Sequence, residues 1–242
     1  MPSSQKESAS ARRSFSLGGA AVPLDPRVNA VRSDLADLRL AQFVFAPHYA
    51  APMVCVASRH SDILPAADPG VAPLSEILPG DTFELFEISR SFGWGMCSAD
   101  GSVGFVDRAA LDVAGPPLKA AREALARDFV AAAEALAGVP YRAGGRSMLG
   151  VDPGGMVFFA LRSIGIQAMR FVDLQATTWG VDAGDAPLAR GTIVFFARHA
   201  AIMVDDVSAM FVAEDLPVTR LALADILARD DIGAEIARRR AA

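Results

Sequence analysis

Two cysteines, three histidines and no long apolar run set the first limits on this 242-residue chain. Cys55 and Cys97 are too few to staple a chain of this length, so a disulfide framework is excluded. Each sits among apolar neighbours (Met53-Val54-Cys55-Val56 and Gly95-Met96-Cys97) and reads as a small buried hydrophobe. The histidines, His48, His60 and His199, are scattered, and no Cys-x-x-Cys or His-x-x-x-His spacing occurs. A metal site is therefore not expected, and no motif calls for a cofactor. No apolar stretch reaches the ~18 residues that cross a membrane. A basic excess is lacking as well. Lys and Arg number 23 against 28 Asp and Glu, for a net charge of −5, which leaves no stripe for nucleic acid. The first 21 residues are rich in Ser, Ala and Arg, but the usual ~7–15-residue apolar core of a secretory signal does not follow Arg12-Arg13. The default location is the cytoplasm. The cell envelope stays open if export uses another route or if this start is incomplete.

What is present is a chain that can bury a core: 52% hydrophobic and 21% charged residues. Its text divides into four parts. Residues 1–44 read as a disordered N-terminus and an arm, with a short helical stretch over Asp34–Leu40. Residues 45–113 carry short β-type runs between turns. Strands are expected at Pro52–Val56, Thr82–Ile88, Phe92–Cys97 and Val103–Val106, with Gly70–Leu78 as a loop. Pro116-Pro117 marks a boundary. Residues 118–232 open with a helix over Leu118–Ala137, which Gly138 and Pro140 end. A second helix follows over Pro153–Ile164, then a loop over Met169–Asp185. Strands are expected at Thr192–Phe196, Ala200–Val204 and Ala209–Ala213, and a last helix at Leu221–Arg229. Residues 233–242, with Arg238-Arg239-Arg240, read as a solvated tail.

The stretch "LPGDTFELFE…GWGMCSADGSVGFVDRAAL" resembles a bacterial SH3-like domain. Downstream, the order of features is a helix, Pro140-Tyr141-x-x-Gly144-Gly145-Arg146, Asp152-x-x-Gly155-Met156, and Pro187-Leu188-x-x-Gly191-Thr192-Ile193-Val194-Phe195-Phe196. His199-x-x-Ile202-Met203 completes it. This order resembles the NlpC-type papain-like cysteine peptidases, which cut γ-D-glutamyl bonds in bacterial cell-wall peptides. The resemblance covers about residues 118–230. It implies an α+β chain: a small SH3-like β-barrel followed by a papain-like NlpC-type domain, with helices packed on an antiparallel sheet.

In that family a cysteine opens the helix after the aspartate, where the helix N-terminus stabilises a thiolate. A histidine serves as base and a third polar residue orients it. Here Asp152 matches, but Pro153 replaces the cysteine and Gly154 the following serine. Proline has no nucleophile, yet it suits the first helical position, and Asp152 suits the N-cap. His199 matches the base. The orienter position falls on apolar Phe211 or Val212, so His199 reads either as a ligand contact or as a relict. In the family an acidic residue after an arginine holds a substrate amine. Phe171 stands in that slot, unless the alignment slips by two and Asp173 serves. Tyr141 matches a groove tyrosine or packs on Pro140.

The resemblance thus implies a homologue with no intact catalytic set. The candidate binding residues are Tyr141, Asp152, Phe171, Asp173, His199 and Phe211, in a groove expected to be apolar. Three functions follow. The first is a regulator that binds a protein partner, and the second a cell-wall peptide-binding module without cleavage. The third is a hydrolase with a nucleophile relocated to Cys97.

Overall fold

The computed structural model describes residues 24–113 and 128–241. The first 23 residues, of which 1–22 read from sequence as disordered, lie outside the described residues. So do Pro116-Pro117 and the start of the helix expected over Leu118–Ala137.

The first unit begins with β1 (Leu35–Asp37) and β2 (His48–Ala50), a parallel pair, followed by β3 (Met53–Ala57). Next come β4 (Ser61–Ile63) and β5 (Ser75–Ile77), paired antiparallel. Then β6 (Thr82–Ile88), β7 (Phe92–Cys97), β8 (Val103–Asp107) and β9 (Leu111–Val113) follow. The main sheet has the antiparallel order β8-β7-β6-β3-β9. Alternation explains the strands. Phe83 and Leu85 of β6 point into a core with Cys55, Ile63, Ile77 and Cys97, while Glu84 on the other face accepts from Arg39. A barrel was expected. Among the described residues, the end strands β8 and β9 are not paired with each other.

Two expectations in this unit, a helix over Asp34–Leu40 and a loop over Gly70–Leu78, need correction. Asp34–Leu40 is not a helix: it gives β1 and one turn of 3-10 helix. Its Leu35 and Ala36 are buried, and backbone pairing with residues 48–50 outweighs the local helical preference. The arm is ordered from residue 24 onward, with Ala30 buried beside Trp94 and Phe86. Gly70–Leu78 contains β5, whose Ser75, Glu76 and Ile77 are all fully buried.

The second unit starts with α1 (Phe129–Glu134), capped by Asp128. A small hairpin, β10 (Arg146–Ser147) and β11 (Gly150–Val151), leads to α2 (Pro153–Arg162) and α3 (Val172–Thr178). After them come β12 (Val181–Asp182), β13 (Ile193–Phe196), β14 (Ala200–Met203), β15 (Ser208–Ala213) and β16 (Leu216–Ala222). Last are α4 (Leu223–Leu227) and β17 (Glu235–Arg240). The sheet order is β12-β17-β13-β14-β15-β16, antiparallel throughout.

Both faces of this sheet are covered, which is why its central strands read as unbroken apolar runs rather than alternating ones. Ile193 and Phe195 pack with α1 and α2, whereas Val194 and Phe196 pack with Leu223 and Ile226 of α4. The segment read as a loop over Met169–Asp185 holds α3 and β12. The segment read as a solvated tail is β17, inserted between β12 and β13. Arg239 Nε donates to the Ala176 carbonyl at 2.6 Å, so the arginines decorate a paired strand. The helix expected at Leu221–Arg229 is shorter, because residues 216–222 pair with β15 first.

Two glycines place α2. Gly144 has φ of +69°, a left-handed conformation that L side chains rarely adopt. At Gly155 an added Cβ would meet the Gly145 carbonyl oxygen at 1.9 Å. The Gly144-Gly145 turn and the first turn of α2 are therefore in backbone contact at Gly145 and Gly155, while an added Cβ at Gly154 would meet the Arg170 carbonyl oxygen at 2.6 Å.

Buried ions join the two units. Arg146 is 6% exposed; its backbone N–H donates to Glu76 Oε1 at 2.8 Å and its Nε to the Glu76 carbonyl at 3.0 Å. Its guanidinium also meets Asp81 and Asp100. Arg142 Nη1 donates to Glu76 Oε2 at 2.7 Å, where His60 also binds. Burial opposes the charge on Glu76. The Arg146 N–H, Ser147, His60 and Arg142 outweigh it and hold the carboxyl below its ordinary 4.5. Its stabilising contribution is therefore full above that value and is lost as pH falls through the lowered one. We expect urea melts to lose stability between pH 6 and pH 3, and Glu76→Gln to flatten that loss. An unchanged pH slope in the variant would remove Glu76 from the account.

Candidate functional site

The site is built outward from the start of α2. Asp152 is its N-cap, with Oδ1 accepting from the Gly155 N–H at 2.7 Å and Oδ2 from the Gly144 N–H at 3.0 Å. Pro153 takes the first helical position, as the sequence indicated. Arg170 grips the same carboxylate through two bonds, Nη1 to Oδ1 at 2.9 Å and Nη2 to Oδ2 at 2.7 Å. Arg170 is only 1% exposed, and its Nε donates to Ser75 Oγ at 3.2 Å. Ser75 in turn donates to Asp100 Oδ2 at 2.5 Å. The helix start is thus tied into the first unit. Gln175 of α3 adds a bond from Nε2 to the Gly154 carbonyl at 2.9 Å.

A groove of about 530 Å³ lies over this helix start. One side is Tyr141, Asp152, Pro153 and Gly154. A second is Arg170, Phe171, Val172 and Asp173. A third is Ala197, Arg198, His199, Glu214 and Asp231, and Arg27 reaches in from the arm. Six of the sequence-derived positions meet here: Tyr141, Asp152, Pro153, Phe171, Asp173 and His199. Phe211 does not. It is fully buried on the α4 side of the sheet, with its ring stacked on His199 at 5.8 Å. It supports the histidine and touches no groove space, because β15 turns its odd-numbered Phe211 toward Leu223 and Ile226. The expectation of an apolar groove is also overturned. Charged side chains dominate the lining, and Phe171 is covered by the Arg27 guanidinium at 4.6 Å.

His199 has no oriented partner. Its Nδ1 is buried without a hydrogen bond among the described residues. Its Nε2 lies 3.9 Å from Asp231 Oδ2, too far for a hydrogen bond. Asp231 is already held by Arg229, through bonds of 2.9 Å to each of its oxygens. Burial depresses the imidazole pKa below 6.5; Asp231 opposes this, and Arg229 and Arg198 reinforce it. His199 is therefore neutral at pH 7. NMR titration of the ring should give a midpoint below 6.5, and a midpoint above 7 would mean that the Asp231 charge dominates. Burial, Asp152 and Glu214 raise the Tyr141 hydroxyl, so it remains a neutral donor.

Cys97 is not in the groove. It is fully buried in the first unit, and burial pushes its thiol pKa well up. Cys55 is buried in the same core. Among the described residues no cluster of metal-ligating side chains occurs.

The comparisons with known proteins stop at similarity of structure. No family model matches the chain, and neither does any curated protein sequence. The chain is similar to NlpC2 from Trichomonas vaginalis, with 15% identity over 78% of this chain and 72% of that one, at a TM-score of 0.41. It is similar to an NlpC/P60 family protein from Bacillus cereus ATCC 10987, with 18% identity over 77% and 62%, at a TM-score of 0.42. A third is a protein similar to lipoprotein, NLP/P60 family, from Staphylococcus aureus, with 19% identity over 52% and 46%, at 0.39. The chain spans less than two thirds of the last two. No helix of the described residues is long and apolar enough to cross a membrane.

Sequence reasoning missed Arg27, Arg170, Arg198, Glu214 and Asp231. Arg170 carried a signal, since it is the arginine that directly precedes the Phe171 slot. Arg27 carried none, because 146 residues separate it from the carboxylate it meets.

Proposed function

We propose that this chain is a non-hydrolytic member of the NlpC-type papain-like group, with an SH3-like first unit. Its groove binds a short acidic cell-wall peptide without cutting it. One observation carries the reading. The lining of the groove contains no cysteine, serine or threonine, and Pro153 occupies the helix start where the family places its nucleophile. The histidine beside it lacks an orienting partner, which is what general-base catalysis requires. Charge in the lining favours a polar ligand over a greasy partner segment. Arg198 is exposed and makes no ion pair among the described residues, so it is available to a carboxylate.

Calorimetry with L-Ala-γ-D-Glu peptides tests the binding, and mass spectrometry of the same mixtures tests the absence of cleavage. Cleavage at an enzymatic rate would overturn the non-hydrolytic reading, and no heat at millimolar peptide would overturn the ligand. A second reading, regulation of a protein partner, draws on Phe43 and Phe45 of the first unit, which are 63% and 94% exposed. Phe45→Ser abolishing a stoichiometric partner in pull-downs would move the weight there.

A further inference from the structure

The arm that precedes the first unit ends in the groove. Asp25 sets its turn, accepting the Arg27 N–H at 2.8 Å on Oδ1 and the Asn29 N–H at 3.0 Å on its carbonyl. The Arg27 carbonyl accepts from the Val103 N–H at 2.8 Å, and Ala30, three residues on, is buried. The backbone at Arg27 is therefore pinned to the first unit. From there the guanidinium reaches Asp173, with Nη1 to Oδ1 at 3.2 Å and Nη2 to Oδ2 at 2.5 Å. Asp25 binds the same guanidinium at 2.6 Å, and the ring of Phe171 lies 4.6 Å beneath it.

Asp152, Asp231, Asp173 and Glu214 are the carboxylates of the groove, and Glu214 is exposed with no ion pair among the described residues. Arg170 holds the first and Arg229 the second, both from within the second unit. Among the described residues, Asp173 alone of these is neutralised by a cation from the other unit, Arg27. An exposed ion pair of this kind contributes little to folding, so its consequence is felt in binding.

We propose that Arg27 is a built-in competitor that fills the cation-binding position at Asp173 and so sets the groove's selectivity against ligands with a free amine beside Phe171. An incoming ammonium must displace a bidentate guanidinium held on three sides, or sit beside it at a like-charge cost. Ligands whose amine is blocked meet no such penalty. The inference rests on the peptide-binding reading above and adds which peptides the groove admits.

The test uses the full chain, calorimetry, and L-Ala-γ-D-Glu with a free or an acetylated N-terminus. Wild type is expected to bind the acetylated form at least as tightly as the free amine. Arg27→Ala is expected to shift the preference toward the free amine by about tenfold, the size of one well-placed charge pair. Arg27→Ala combined with Asp173→Asn should lose that shift. Thermal melts of all variants check folding, and Arg27→Gln serves if Arg27→Ala melts early. Wild-type binding of the acetylated peptide with no gain for the amine in Arg27→Ala overturns the inference and leaves the peptide-binding reading standing. Binding by no variant overturns both. A wild type that already prefers the free amine also overturns the inference.

Discussion

Replacing Pro153 with cysteine is expected to create the only reactive thiol in the described part of the chain. The new side chain would sit at the first position of a ten-residue helix, at the floor of an open groove. The helix N-terminus stabilises a thiolate there, and Arg170 offsets the charge of the neighbouring Asp152. Cys55 and Cys97 are buried, with burial raising both thiols, so they make a built-in comparison. Iodoacetamide at pH 7 should label Pro153→Cys at least about tenfold faster than either native cysteine. Loss of the proline should cost folding little, because Asp152 still caps the helix. Turnover of L-Ala-γ-D-Glu peptides is not expected from this variant, since His199 has no orienter. Labelling no faster than in the native protein would mean that the helix start no longer activates a thiol. Efficient hydrolysis would mean that the nucleophile alone had been lost.

The second large effect is expected at Arg170. This side chain is almost wholly buried and binds both oxygens of Asp152, which in turn caps α2 and holds the Gly144 turn. Arg170→Ala would leave a carboxylate without its cation in a mostly buried setting, and it would free Ser75 and the Gly145 carbonyl of their donors. Removing one member of a buried pair costs about 3–5 kcal/mol. Chemical denaturation should therefore show a loss of that size. Arg170→Ala with Asp152→Asn should lose less than the sum of the two single changes, because the pair acts as a unit. A loss under about 1 kcal/mol would contradict the coupling of the two units through this arginine. Arg198→Ala is the control. It lines the same groove but makes no ion pair among the described residues, and its stability should stay within about 0.5 kcal/mol of wild type.

The sequence-derived readings succeeded where local rules govern. The strand Thr82–Ile88 alternates, Phe92–Cys97 is bounded by turns, and both form as read. The start of α2 was legible because an aspartate, a proline and two glycines satisfy capping, φ and close-approach demands within four residues. The readings failed where distant pairing overrides local preference. Arg238-Arg239-Arg240 looks like a solvated tail until β13 and β12 accept its backbone on both sides. Asp34–Leu40 has helical composition, but residues 48–50 supply a strand partner.

For the site itself, the sequence alone determined that the helix start carries no nucleophile, because Pro153 is a matter of identity and no fold can change it. It also indicated six of the residues that gather there, Tyr141, Asp152, Pro153, Phe171, Asp173 and His199, but not the five charged ones that complete the lining. Only the tertiary structure decided the character of the groove. The apolar impression came from Phe171 and Phe211, but one is covered by Arg27 and the other lies beneath His199. The charges that line the groove come from segments as distant in sequence as Arg27 and Asp231. Electrostatic partners are chosen by proximity in space, and proximity across such separations is a property of the packed chain rather than of any stretch of its sequence.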